Sequence, residues 1–367
     1  LAVAQCRASL RFVSRDDLLQ DPPARPSSRT VYRWDLDKTY LSTDFDSLKG
    51  LWRAAREKAS DKRTFPGARS LLRELGETGH RGLYILSGSP EQMRKVLEEK
   101  LVLDGIRWDA MVLKPSLNRL LRGRFRFLRD QVSYKLGALL GSRVSIGGSY
   151  DEVMFGDDAE ADAFVYSLYA DLCAGRVGLD LLARILELAR AYDDDAAELL
   201  ELARTVPKRD HVRRIFIHLE RIEPSTVFAA FGSRVCAFHN YFQPAVVLLE
   251  DRLIDADAVV RVGLDLMLGH LFSPEALSAS YADLAQRRMI GLETGELLLR
   301  AIAKAQGQQA EAREVLEGLR VTVVKSALAR KGLSPEAGPD VLDYLAILPT
   351  DRARAHRAKS RARARLR

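Results

Sequence analysis

The sequence is poor in cysteine. Its 367 residues hold three, Cys6, Cys173 and Cys236, and none forms a Cys-x-x-Cys pair. A disulfide framework and a structural zinc site are thereby excluded, and a reducing, cytoplasmic setting is expected. Long apolar runs are missing as well. A membrane-spanning helix needs about 20 predominantly apolar residues. The nearest approach, 225–249, is interrupted by Arg234, His239, Asn240 and Pro244. The opening Leu-Ala-Val-Ala-Gln-Cys lacks the basic region and the apolar length of a signal peptide. No Met precedes it, so the N-terminus reads as incomplete. Most of the chain also lacks excess charge. The net +7 resides wholly in 351–367, where eight Lys/Arg face a single Asp. The basic balance therefore describes a tail and not a fold.

What remains is 47% hydrophobic and 29% charged, the balance of a soluble globular protein able to bury a sizeable core. At about 150 residues per domain the length favours two domains. Residues 1–29 hold Asp-Pro-Pro, Arg-Pro and Ser-Ser and read as a leader or linker. Strands are predicted at Thr30–Asp35, Gly82–Leu86, Trp108–Leu113, Asp151–Phe155, Val212–Ile222 and Arg234–Phe238. Between them, helical periodicity is predicted after Phe65-Pro66-Gly67 to near Gly79, from Glu91 to about Lys100, over Val132–Leu140, and from about Glu160 to Leu172. Strands alternating with helices, with polar signals just after strand ends, predict an open parallel α/β sheet with its site at the carboxyl edge. Residues 179–204 read as a helical insertion broken at Tyr192-Asp-Asp-Asp. From 243 to 349 nearly everything has helical periodicity. The expected organisation is a leader (1–29), an α/β domain (30–242), an all-helical region (243–349) and a basic tail (350–367).

Four segments carry chemistry. Asp35-Leu-Asp37-Lys-Thr39 follows the first strand. Of two carboxylates so spaced, one can attack phosphorus while the other, one step into the loop, donates a proton to the leaving oxygen. Asp37 must keep its proton, so its pKa is expected to be raised. Ser87 and Gly88, with Ser89, follow the second strand and offer a hydroxyl and backbone N–H groups to a phosphoryl oxygen. Lys135 offers a fixed positive charge. Gly156-Asp157-Asp158-Ala-Glu160-Ala-Asp162 follows the fourth strand, and hard carboxylates beside Asp35 suit Mg²⁺. Each segment alone has a plainer reading, as an Asx-turn, a helix N-cap, a surface lysine or a loop. Their order, and the placement of three of them at strand ends, favours the joint one.

These segments resemble the haloacid dehalogenase (HAD) superfamily of aspartate-nucleophile phosphatases. More narrowly they resemble its actin-patch-type phosphatidate phosphatase branch. The narrower likeness rests on Asp35–Thr39, Tyr84-Ile-Leu-Ser-Gly-Ser-Pro90, Tyr134-Lys135, Phe155–Asp162 and Val212-Arg-Arg-Ile-Phe-Ile217. It covers about residues 30–240. The resemblance implies a HAD-like, Rossmannoid sheet with a minimal cap. It implies Asp35 as the phosphorylated nucleophile, Asp37 as acid/base, and Thr39 as the residue fixing the acid loop. Ser87 and Lys135 become the phosphoryl-binding pair, and Asp157 a Mg²⁺ ligand with Asp35 and the Asp37 carbonyl. Asp162 would support the metal or Lys135, with Asp158 as a competing partner. Lys38 stands where that branch usually has an acidic residue, and Asp158 where it has a small one. Phosphatidate or a related phospholipid monoester is the implied substrate. A soluble sugar or nucleotide monophosphate, or a nucleic-acid end, is the alternative, and a non-catalytic scaffold lies outside catalysis altogether.

Residues 40–64 hold one amphipathic helix pattern (Leu48, Leu51, Trp52, Ala55), so a small lid and an exposed site are expected. His211, His218, His239 and His270 show no metal spacing and read as structural or surface residues. Asp193–Asp195 could bind a cation but reads first as a polar break between helices, and the aromatic-rich Phe238–Gln243 could line a substrate pocket but reads first as core at a strand–helix junction. The tail could hold a peripheral anionic membrane surface at about 1 kcal/mol per cation, bind nucleic acid by counterion release, or merely solubilise the chain.

Overall fold

The computed structural model describes residues 30–42, 58–77, 82–114, 127–146, 149–220, 224–308, 310–328 and 342–350. The expected leader, the lid helix pattern around Leu48–Ala55 and the basic tail lie outside the described residues. Six strands, β1 (Thr30–Asp35), β2 (Gly82–Pro90), β3 (Ala110–Lys114), β4 (Asp151–Asp157), β5 (Val212–His218) and β6 (Val235–Phe238), form one sheet in the order β3-β2-β1-β4-β5-β6. Every pairing is parallel. This is the strand order of a Rossmann-like α/β protein.

The side-chain period of two sorts each strand onto two buried faces. On one face Trp34, Phe155, Phe216 and Phe238 form an aromatic ladder across β1, β4, β5 and β6. Trp34 stacks on Phe155 at 3.8 Å between ring centroids, and Phe155 on Phe216 at 4.8 Å. Each such pair adds about 0.5–1.5 kcal/mol beyond its area burial. Two helices from the first half of the chain, α1 (Ala68–Glu77) and α2 (Arg94–Leu103), cover this face. The other face carries Met154, Ile215, Ile217 and Ala237. It is covered by α3 (Phe127–Ile146), α4 (Asp162–Ala174), α5 (Leu179–Leu188) and α6 (Asp193–Thr205). Helix α4 is buried on every side from Asp162 to Cys173, as a helix wedged between a sheet and outer helices must be.

The helices after the sheet are α7 (Phe242–Glu250), α8 (Ala256–Leu264), α9 (Pro274–Gln286), α10 (Leu292–Gln308) and α11 (Arg313–Leu328). A single hydrophobic cluster joins them to Trp34, Phe155, Leu71 and Leu97, so this region completes one face of the sheet. Residues 344–350, again helical, return to the opposite face. There Leu342, Tyr344 and Leu348 are buried, and the Tyr344 hydroxyl donates to Asp171 at 2.6 Å. No helix among the described residues is long and apolar enough to cross a membrane.

Among the elements that depart from their expected spans, β2, β5 and α3 do so for identifiable reasons. Strand β2 runs on to Pro90 through a register shift between Ser87 and Pro90 that keeps β3 paired. Strand β5 ends at His218, where its pairing with Phe238 of β6 stops. Helix α3 outlasts Val132–Leu140 at both ends. At its C-terminal end, two polar residues find buried partners. Ser142 accepts from Arg33 at 3.0 Å, and the Arg143 guanidinium lies 4.3 Å over the Tyr150 ring.

Candidate active site

Strand order reverses between β1 and β4, and ligands of open α/β sheets bind at the carboxyl ends of such a switch point. Trp34 pairs in register with Phe155, so Asp35 and Asp157 leave adjacent strands at one edge. The turn after β1 carries carboxylates where a dinucleotide-binding turn carries glycines.

Lys135, projecting from α3, is the electrostatic centre. Its Nζ lies 3.2 Å from Asp35 Oδ1, 2.7 Å from Glu160 Oε2 and 2.5 Å from Asp162 Oδ1, and all four side chains are buried. Burial alone would lower the Lys135 pKa. Asp162, Asp35 and Glu160 together hold it well above the usual lysine range, so the ammonium stays charged. Burial pushes the Asp35 carboxyl well up. Lys135 opposes that rise, and Asp162, Glu160 and Asp157 add to it. Burial likewise raises Asp157, with Asp162 and Glu160 adding repulsion and Lys135 and Lys38 opposing it. Asp162 rises to about 6, chiefly through burial, with Lys135 pulling the other way.

The acidic loop after β4 folds on itself. Asp157 Oδ1 accepts the N–H groups of Ala159 at 2.5 Å and Glu160 at 2.9 Å. Asp162 Oδ2 accepts the Asp157 N–H at 3.1 Å while its Oδ1 faces Lys135. Both oxygens of Asp162 are thus engaged in holding Lys135 and the loop. The Oδ2 atoms of Asp35 and Asp157 are buried without a hydrogen-bond partner. Asp158 points elsewhere: its Oδ1 accepts the Glu220 N–H at 3.1 Å and ties this loop to the end of β5.

Asp37 faces the serines that follow Leu86 on β2. Its Oδ2 accepts from Ser87 Oγ at 2.7 Å and Ser89 Oγ at 2.8 Å. Burial raises its pKa, against the pull of the two serine hydrogen bonds; from the lysine cluster, Glu160 adds to the rise and Lys135 opposes it. Ser87 is therefore oriented by Asp37. Gly88 backs Glu160, whose Oε1 would lie 3.6 Å from a Cβ at that position. Thr39 is buried and its hydroxyl makes no hydrogen bond. Its carbonyl instead accepts from the Tyr241 hydroxyl.

Asp35, Lys135 and Asp162 therefore converge with Glu160, with Asp157 charge-coupled to them. Asp37, Ser87 and Gly88 line the β2 side, and Asp158 serves the β5 loop. Glu160 lies within the acidic segment, and the structure adds it to the partners of Lys135. Ser89 was legible, because residues i and i+2 of a strand share a face. His218 and Tyr241 reach the Asp37 loop from the end of β5 and from the residue before α7; Tyr241 lies in the aromatic run Phe238–Gln243, whereas His218 carries no sequence signal.

Asp35, Glu160 and Asp162 bring ligand oxygens within 4.8 Å of one another, but the Lys135 ammonium already pairs with one oxygen of each. The oxygens that fit a cation are the unpartnered Oδ2 atoms of Asp35 and Asp157. An all-oxygen donor set with more carboxylate charge than Lys135 offsets suits a hard divalent ion.

Fold and site together define a Rossmann-like α/β protein with a buried carboxylate–lysine centre at its switch point. Compared with protein-family models, curated proteins and solved structures, the chain matches none.

Proposed function

We propose that this protein is a Mg²⁺-dependent phosphate monoester hydrolase working through an aspartyl-phosphate, on a sheet of the HAD type. One observation carries the reading. Asp35 presents a buried, unpartnered oxygen at the switch point, 3.2 Å from Lys135 on its other oxygen, with the raised-pKa Asp37 two residues on.

In the first step a carboxylate oxygen of Asp35 attacks phosphorus in line, and the bond from phosphorus to the alcohol oxygen breaks. Asp37 gives its proton to that departing oxygen. In the second step Asp37, now a carboxylate, takes a proton from water as the water oxygen attacks phosphorus. The bond to Asp35 breaks, leaving orthophosphate and both aspartates as they began. Lys135 and the backbone at Gly88 face the equatorial oxygens, and Asp162 keeps Lys135 aimed. Asp35 and Asp157, with the Asp37 carbonyl, would hold Mg²⁺. Bound there, the ion neutralises charge on carboxylates and phosphoryl group alike.

Asp35→Asn is expected to abolish Mg²⁺-dependent release of orthophosphate from a chromogenic aryl phosphate. Full activity in that variant refutes the nucleophile assignment, and an inactive wild type favours a scaffold. Phosphatidate or a related phospholipid is the proposed substrate, on the motif resemblance. Hydrolysis in anionic vesicles that disappears when 351–367 are removed supports it. Preference for soluble sugar or nucleotide monophosphates supports the alternative.

A further inference from the structure

The loop that carries Asp37 is a closed turn. The N–H groups of Tyr40 and Leu41 both donate to the Leu36 carbonyl, at 3.0 and 2.7 Å, and the Lys38 N–H donates to the Leu41 carbonyl at 2.9 Å. The turn closes only because Lys38 adopts a left-handed backbone, φ +61°, which a side chain with a Cβ rarely takes. Something outside the turn must hold it there. Two side chains do. His218 Nδ1 lies 2.9 Å from the Lys38 carbonyl. A carbonyl only accepts, so Nδ1 carries the proton. The Tyr241 hydroxyl donates to the next carbonyl, that of Thr39. Both rings are fully seated. His218 packs edge-on against Phe65 at 4.3 Å and lies 5.7 Å from Tyr241. Tyr241 lies in turn against Gly67, where a Cβ would come within 3.0 Å of Tyr241 Cβ.

We propose that His218 and Tyr241 are positioning residues for acid catalysis. They clamp the two carbonyls that follow Asp37 and so fix the line along which Asp37 delivers its proton to the leaving oxygen. The inference rests on the phosphatase reading and goes beyond it, because it gives β5 and the junction leading into α7 a part in the reaction. The substrate class it bears on is the ester with a poor leaving group. An alkoxide or phenoxide needs the proton as the bond to phosphorus breaks, whereas nitrophenoxide leaves without it.

The test compares phenyl phosphate with 4-nitrophenyl phosphate, using the full chain in Mg²⁺ and reading kcat/KM, which reports the step that expels the alcohol. Tyr241→Phe keeps the ring and removes one donor; His218→Leu fills the space and removes the other. Each is expected to lower kcat/KM about tenfold or more on phenyl phosphate and less than about threefold on 4-nitrophenyl phosphate, within the range that general acids supply. His218→Asn, which keeps an N–H near the Nδ1 position, is expected to recover most of the phenyl phosphate activity. A residue that merely holds the fold together would lower both esters equally, and that result overturns the proposal. His218→Asn behaving like His218→Leu removes His218 from it. Wild type and Asp35→Asn both inactive on both esters would instead remove the phosphatase reading itself, a separate outcome.

Discussion

A histidine buried among aromatic rings resists protonation. His218 sits between Phe65, Phe238 and Tyr241, with the Lys38 carbonyl on Nδ1. Burial lowers its pKa to about 4; the Lys38 carbonyl opposes this, and nearby His239 adds to it. The unfolded chain binds a proton on this residue near pH 6.5, and the folded chain does so only near 4. The stability linked to its neutral form is therefore complete above pH 6.5 and disappears as pH falls toward 4. It amounts to about 3 kcal/mol. Denaturant titrations at pH 7 and pH 4.5 should show wild type losing more stability on acidification than His218→Leu. The raised carboxyls around Lys135 titrate in both proteins and cancel in that difference. Equal losses would show that the histidine is not held neutral. Nothing local in Ile217-His218-Leu219 announces this role, because the surrounding rings come from two other stretches of chain, at Phe65 and at Phe238–Tyr241.

Among elements, the turn from β4 into α4 shows how sequence spacing becomes a site. Gly156 is required there for space. A Cβ at that position would lie 2.3 Å from Asp162 Oδ2 and 2.6 Å from Asp162 Cβ. Gly156→Ala must therefore push Asp162 off Lys135. It should lower stability by about 1–3 kcal/mol, the usual cost of overpacking, and lower kcat/KM about tenfold or more through the displaced ammonium. Gly76→Ala in α1 meets nothing within 4 Å and serves as the control, with an expected gain of about 0.5–1 kcal/mol. Equal thermal stability of Gly156→Ala and wild type would contradict the packing. The glycine, the acidic run and the strand before it were all legible in order. The fold of the loop was not, because Asp158 and Asp162 part only in the tertiary structure, Asp162 to Lys135 and the Asp157 N–H, Asp158 to the Glu220 N–H.

Across the whole molecule, the two ends of the sheet divide their work. Toward the amino end of β4, Glu152 accepts a buried double hydrogen bond from Arg33 of β1 at 3.0 and 2.9 Å. Tyr169 donates to Glu152 at 3.1 Å, and Arg33 and His211 help to hold this carboxyl well below its usual range despite burial. Glu152→Gln leaves Arg33 without its counter-ion and should cost about 3–5 kcal/mol in chemical denaturation. Because β4 carries Asp157 at the opposite end, the folded variant should keep wild-type kcat in the phosphatase assay proposed above. A tenfold loss of kcat would show the two ends to be coupled.

Hydrophobic alternation and glycine-marked breaks determined the parallel α/β sheet, its carboxyl-edge loops and the carboxylates on them, because these signals are local in the chain. Only the tertiary structure decided that Glu160 joins Lys135, that Asp158 serves β5, and that the helices after 242 share a core with β1. It also decided that His218 and Tyr241 reach the acid loop. Each of these depends on groups far apart in sequence meeting across a sheet, and no period within a single element encodes such a meeting.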